Sequence, residues 1–189
     1  MMKLFLKPMV MVGLLVPFFA IQAATVAPLS LAELTAQSDL IVEAKMLAGV
    51  PDWSGAPGAS LLCTYWTAEV SDAVKGVLPP AFSIRVPGGS KDGRSVTVPG
   101  AVVFRPGQEA ILFLKRTEAL RAGAPVFEVL GFSQGAVPVR SDPGSGKKLV
   151  SRPVKTSGHT QAKPVMIEAD QFKTEVRALL KEKKPEVSP

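Results

Sequence analysis

Only one histidine, His159, and one cysteine, Cys63, occur in the chain, and this restricts its chemistry from the start. A Ser-His-Asp or Cys-His arrangement would have to take His159 as its base. His159 lies among glycine, serine and basic residues, a setting that does not hold a base in place. A zinc site needs several nitrogen or sulfur ligands, and one His and one Cys about a hundred residues apart fall short. Ser145-Gly146-Lys147-Lys148 has the S-x-x-K spacing of serine-lysine enzymes, without the companion motifs or the rigid helix start that this chemistry uses. Gly144-Ser145-Gly146-Lys147 faintly resembles a phosphate loop, but Ser141 stands where that loop has its first glycine. Glu43, Glu69 and Glu128 fall on expected strands and could act as paired carboxylates in glycoside hydrolysis. The plainer reading is that they face solvent. Neither a cofactor nor a metal is implied.

Binding residues are easier to find than catalytic ones. Trp53, in Pro51-Asp52-Trp53-Ser54, has no apolar neighbours at strand spacing. It reads as a loop tryptophan, which either anchors a partner or folds back to cap the fold. Gly88-Gly89 either shapes a loop or lets a ligand approach closely. Between Arg140 and Thr160 the basic residues Arg140, Lys147, Lys148, Arg152 and Lys155 face Asp142 alone. This segment reads as an exposed basic loop or hairpin tip, either simply solvated or in contact with an anionic surface. The candidate binding residues are therefore Trp53, Gly88, Gly89, Lys147, Lys148 and Arg152. No aromatic-and-basic motif accompanies the basic run, so nucleic acid is not an expected partner.

The elements that position these residues are short. The 189 residues carry 17 Pro and 16 Gly, with 47% hydrophobic and 20% charged residues, which suits one turn-rich domain with a packed core. Lys3 and Lys7 precede an uncharged apolar run from Pro8 to Ile21, followed by Gln22-Ala23-Ala24. This is the layout of a secretory signal peptide. The run is roughly 14 residues, shorter than the ~20 of a membrane span, so residues 1–23 are expected to be cleaved after Ala23 or Ala24. The remainder is then a soluble periplasmic or secreted protein without a membrane anchor. The formal charge of the whole chain is +6. A lone cysteine allows no internal disulfide. Cys63 is either a buried thiol or a bridge between chains.

Ser30 and Glu33 have capping-box spacing and predict a short helix. Strands are expected at Leu40–Ala48, Leu61–Val74 and Phe82–Val86, then around Val96–Val98, Ala110–Leu114, Phe127–Leu130 and Ala136–Val139. In the second strand, Trp66, Ala68 and Val70 should face inward, with Tyr65 on the outside. Pro106-Gly107 fits the centre of a type II turn leading into Ala110–Leu114, whose lack of alternation predicts cover on both faces. Phe172, Val176, Leu179 and Leu180 form one apolar helical stripe, which Asp170 could cap and Pro185 ends. The fold class expected is mainly β: a small antiparallel barrel or sandwich, OB-like, of six to seven short strands with a short N-terminal helix and an amphipathic C-terminal helix. The barrel domain is assigned to residues 24–165, with its basic loop at 140–160, and the helix and tail to 166–189.

The phrases SDLIVEAKML, TAEVSDAVKG, IRVPGG and FRPGQEAILFL resemble a pattern in uncharacterised exported bacterial proteins. Their order is similar to that of netrin-like and metalloproteinase-inhibitor domains, which are OB-type barrels. The resemblance covers about Ser38 to Leu114 and implies a barrel topology. It does not extend to protease inhibition, which needs an N-terminal cysteine, nor to the several disulfides of those domains. The reading favoured is an exported, non-enzymatic module that binds a protein or envelope component. The alternative is a small extracytoplasmic hydrolase using carboxylates in the barrel. A chaperone-like accessory role is a third.

Overall fold

The structure, a computed structural model, describes residues 28–55, 60–152 and 165–182. The expected signal peptide, His159 and Lys155 lie outside the described residues. The chain runs α1 (Leu31–Gln37), β1 (Leu40–Ser54), β2 (Leu61–Lys75), β3 (Ser83–Pro87), β4 (Gly89–Lys91), β5 (Arg94–Val96), β6 (Glu109–Arg121), β7 (Ala124–Val129), β8 (Ala136–Ser141), β9 (Lys148–Arg152), β10 (Val165–Glu168) and α2 (Ala169–Glu182). The fold is mainly β, as the short alternating segments and turn signals suggest. Among the described residues no helix is long and apolar enough to cross a membrane.

The capping box forms as its spacing requires. Ser30 Oγ accepts from the Glu33 amide, and the Glu33 carboxylate accepts from the Ser30 amide at 2.7 Å.

Eight strands form one sheet in the order β1-β2-β3-β7-β6-β8-β9-β10, and β1 also pairs with β6. The pairings β1-β2-β3-β7-β6 therefore return to β1, from Leu40 opposite Leu114 to Lys45 opposite Glu109. This is not a clean barrel, because β8, β9 and β10 continue the sheet outward from β6. Three register shifts in the β1–β2 pair leave one extra residue each, Val74 and Ser71 on β2 and Leu47 on β1. Bulges increase local twist and curvature, and β1 needs both to pair with β2 and β6 together.

The expectation of an all-antiparallel sheet is corrected at one place. β3 runs parallel to β7, through Ser83–Arg85 beside Val126–Glu128. The expected six or seven strands become ten among the described residues. Gly89–Lys91 is too short to show a period of two and reads as loop, while the strand expected around Val96–Val98 lies at Arg94–Val96 and ends at Val96.

Two apolar clusters lie on opposite faces of β1 and β6. Leu40, Val42, Ala44 and Met46 join Trp66, Ile84, Ala110, Leu112, Leu114 and Phe127 in one. Ile41, Ile111 and Phe113 join Leu34, Phe172 and Val176 beneath the two helices. This two-sided burial is why Ala110–Leu114 lacks alternation. Ahead of it, Arg105 O accepts from Gln108 N at 3.1 Å and Gly107 has φ +81°, as a Pro-Gly type II turn requires. Asp170 does not precede α2 as a cap. It sits in the first turn and pairs with Lys173 at 2.9 Å.

Candidate functional site

Trp53 is not on a loop. β1 extends to Ser54, past Pro51, so Trp53 is a half-buried strand residue opposite Leu62. Loop composition hid the strand, because Gly49 and Pro51 are poor strand formers. Gly49 has a local reason. A Cβ on Gly49 would stand 2.7 Å from Trp66 Cε2, so only glycine lets the indole lie against the backbone.

Gly88-Gly89 is likewise not a flexible loop. Gly88 has φ +100° and donates its amide to Leu62 O at 2.8 Å, while its carbonyl accepts from Thr64 Oγ1 at 2.8 Å. Gly89 has φ +143°, and a Cβ there would stand 2.6 Å from Thr64 Oγ1 and 3.3 Å from Pro51 Cβ. These glycines bring the β4–β5 hairpin onto the ends of β1 and β2. Three candidate residues, Trp53, Gly88 and Gly89, thus meet at one end of the sheet.

Asp52 ties this end together. Lys91 Nζ, from β4, lies 2.6 Å from Asp52 Oδ1, and Arg121 Nη1, from the end of β6, lies 3.0 Å from Oδ2. Hydrogen bonds from Lys91, Arg121 and the Trp53 amide hold the Asp52 carboxyl down at about 2. Arg121 also lies over the Tyr65 ring, 4.1 Å from its centroid, and Arg94 lies 5.8 Å from the Trp53 centroid. Both are within cation–π range. One tip thus gathers four segments, two aromatic rings and three cations beside a single carboxylate. Asp52, Tyr65, Lys91, Arg94 and Arg121 were not among the sequence candidates. The signal for them was faint: Arg121-Ala122-Gly123 is a turn with two positive φ values, and such a turn can aim an arginine.

Tyr65 is buried, not surface-facing, because Arg121, Cys63 and Val126 cover it. Trp66 does face the core with Ala68 and Val70, edge-on to Phe104 at 5.9 Å. The Cys63 thiol is free and buried, and burial pushes its pKa up, which favours an inert thiol.

The basic segment lies elsewhere. Arg140 and Ser141 end β8, Asp142 and Lys147 flank a turn, and Lys148 starts β9. Lys147 pairs with Glu168. Lys148 Nζ lies 2.8 Å from both Glu109 Oε2 and Glu43 Oε1, and these two carboxylates hold its pKa up. Arg152 is the last residue of β9, opposite Val165. The two lysines are therefore engaged within the fold.

The carboxylates considered for hydrolysis are dispersed. Glu43 is buried between Lys148 and Lys173, Glu69 is exposed opposite Lys45, and Glu128 is bound by Arg85 at 2.7 Å. Glu43 and Glu128 stand on strands that flank opposite edges of β6. Among the described residues, no group of three or more His, Cys, Asp or Glu side chains could hold a metal ion. No family model matches the chain, and no curated protein or solved structure is significantly similar to it.

Proposed function

We propose that the protein is an exported, non-enzymatic binding module whose contact surface is the tip around Asp52. The observation that carries this reading is the convergence of Arg94 on Trp53 and Arg121 on Tyr65 at the meeting point of four chain segments. Tyrosine, tryptophan and arginine supply most of the energy in many protein interfaces. A pre-positioned ring and guanidinium also lose little conformational entropy on contact.

The pairing circuit β1-β2-β3-β7-β6, with its single parallel pair, supports assignment to the OB type of barrel. In such barrels the second and third strands and the first and last connecting loops carry the binding face. Here those parts include β2, β3 and the turn between Arg121 and Ala124. The tip occupies that position. The signal-like first 23 residues support export, and the partner is then a protein or an envelope component.

The test is site-specific photocrosslinking in the native host, with the crosslinker at Ser90 beside the tip and, as control, at Lys181 on α2. One recurrent adduct from Ser90 that is lost with Trp53→Ala and Arg94→Ala supports the reading. Adducts that form equally from Lys181, or that survive both substitutions, refute it.

A further inference from the structure

The parallel pairing of β3 with β7 stops after three residues, at Arg85 and Glu128. β3 nevertheless continues to Pro87 and β7 to Val129. The strands part there, and a cavity of about 440 Å³ opens in the seam. Val86, Val102, Val129 and Leu130 line it, and the first three also belong to or pack on the barrel-side core. The opening is thus an apolar pocket that reaches the core from outside, within the 300–1,000 Å³ range of small-molecule sites.

Its polar rim is specific. Arg85 Nε and Nη2 both reach Glu128 Oε1, at 2.8 and 2.7 Å. Among the described residues no partner occupies Glu128 Oε2, so this oxygen can accept from a ligand. The other charge at the rim, Lys115, pairs with Asp39 at 2.9 Å. With each rim charge already paired, an added ionic group would find no counter-charge, which favours an uncharged ligand.

Phe132 lines the same cavity in a left-handed conformation, φ +62°, with 44% of its surface exposed. A bulky residue at positive φ is strained, and such strain concentrates at binding sites. The strain holds an aromatic ring at the rim where it can close over an occupant.

We propose that this seam is a binding site for a small uncharged amphipathic molecule. Its body is an apolar ring or short chain lying against Val86, Val102 and Val129. Its one N–H or O–H group donates to Glu128 Oε2. The proposal does not rest on the tip surface, since neither Trp53 nor Tyr65 lines the seam.

N-Phenyl-1-naphthylamine is a suitable probe, being uncharged and apolar with a single N–H donor. Fluorescence titration should give saturable, one-to-one binding. Backbone amide shifts should then move at Val86, Val129, Leu130 and Phe132. Ala101→Phe, which fills the cavity, should weaken binding at least tenfold. Phe132→Gly, which relieves strain and cannot overpack, should weaken it several-fold with the fold intact. Three results would each overturn the proposal: no saturable binding, shifts confined to α1 and α2, or tighter binding of the sulfonated analogue 1-anilinonaphthalene-8-sulfonate. Failure of the probe here leaves the crosslinking result at Ser90 unaffected, so the two readings fail separately.

Discussion

Lys173 Nζ lies 2.6 Å from Glu43 Oε2, and both residues are buried although 130 positions separate them. Asp72 at 3.1 Å and Asp170 at 2.9 Å complete the surroundings of the ammonium. This contact fastens α2 to β1 and β2, beside the apolar seat of Phe172 and Val176. Without the Lys173 ammonium, Glu43 keeps Lys148 and Asp72 keeps Arg177, so neither carboxylate is stranded, but each loses a charge-assisted hydrogen bond. Lys173→Met should therefore destabilise by about 1–3 kcal/mol in urea unfolding. The double variant Lys173→Met, Glu43→Leu should recover part of that loss. A single-variant cost below about 1 kcal/mol would show that water already reaches the pair.

The same cluster sets the response to pH. Burial alone would raise the Glu43 and Asp72 pKa values, but their cationic partners outweigh it and hold both carboxyls below their ordinary 4.5 and 3.8. The unfolded chain then takes up protons first as pH falls, so their contribution is complete above 4.5 and is lost progressively below it. Lys173 is shifted the other way: burial opposes its charge, yet Glu43, Asp170 and Asp72 raise its pKa above 10.5. Its contribution is complete below 10.5 and is lost above. Urea midpoints measured against pH should form a plateau that falls at both ends. In Lys173→Met the alkaline fall attributable to this group should vanish; an unchanged alkaline limb would refute the assignment.

Gly49→Ala should cost about 1–3 kcal/mol through overpacking against the Trp66 indole. The same substitution in a Trp66→Leu background should cost less, because the clash is with the ring. Equal costs in both backgrounds would place the strain elsewhere, for instance at Thr64 Cγ2, 2.9 Å from the added atom.

Asp52→Asn removes the shared counter-ion of Lys91 and Arg121. The pairs are partly exposed, so the global unfolding midpoint should barely move. The local effect should be clear: faster amide hydrogen exchange in Ser90–Val96 and around Ala122. Unaltered exchange there would mean that the glycine-mediated contacts alone hold the tip.

Phe132→Gly should stabilise the protein by about 1 kcal/mol by releasing the left-handed strain. A gain in thermal midpoint together with weaker probe binding would separate stability from function at one residue. A clear loss of stability would instead make the ring a packing element.

Local physics made much of the fold legible. Ser30 and Glu33 close their capping box because partners three residues apart on a helix need nothing from the rest of the chain. Pro106-Gly107 makes its turn because each residue carries the φ preference its position demands. The doubly buried Ala110–Leu114 and the Phe172–Val176 face appear directly in the apolar pattern. The strand status of Trp53 was hidden, because Gly49 and Pro51 imitate a loop, and only the packing of Trp66 explains the glycine.

The candidate site was half legible. Trp53 and the glycines at 88 and 89 stand out by type, but the residues that surround them come from β2, the β4–β5 hairpin and the end of β6. Arg121 reaches Asp52 across 69 positions, and no window along the chain relates the two. Lys147 and Lys148 looked free for an outside partner only because Glu43, Glu109 and Glu168 are distant in sequence.

Composition, periodicity and turn chemistry were thus enough for a β-rich fold with two helices, since each depends on neighbouring residues. The closing β1–β6 pair, the parallel β3–β7 pair, the carboxylate that receives each cation and the open seam beside Phe132 all depend on strands meeting across long loops. Loop closure costs entropy that only the whole packed core offsets, so those features exist only in the assembled fold.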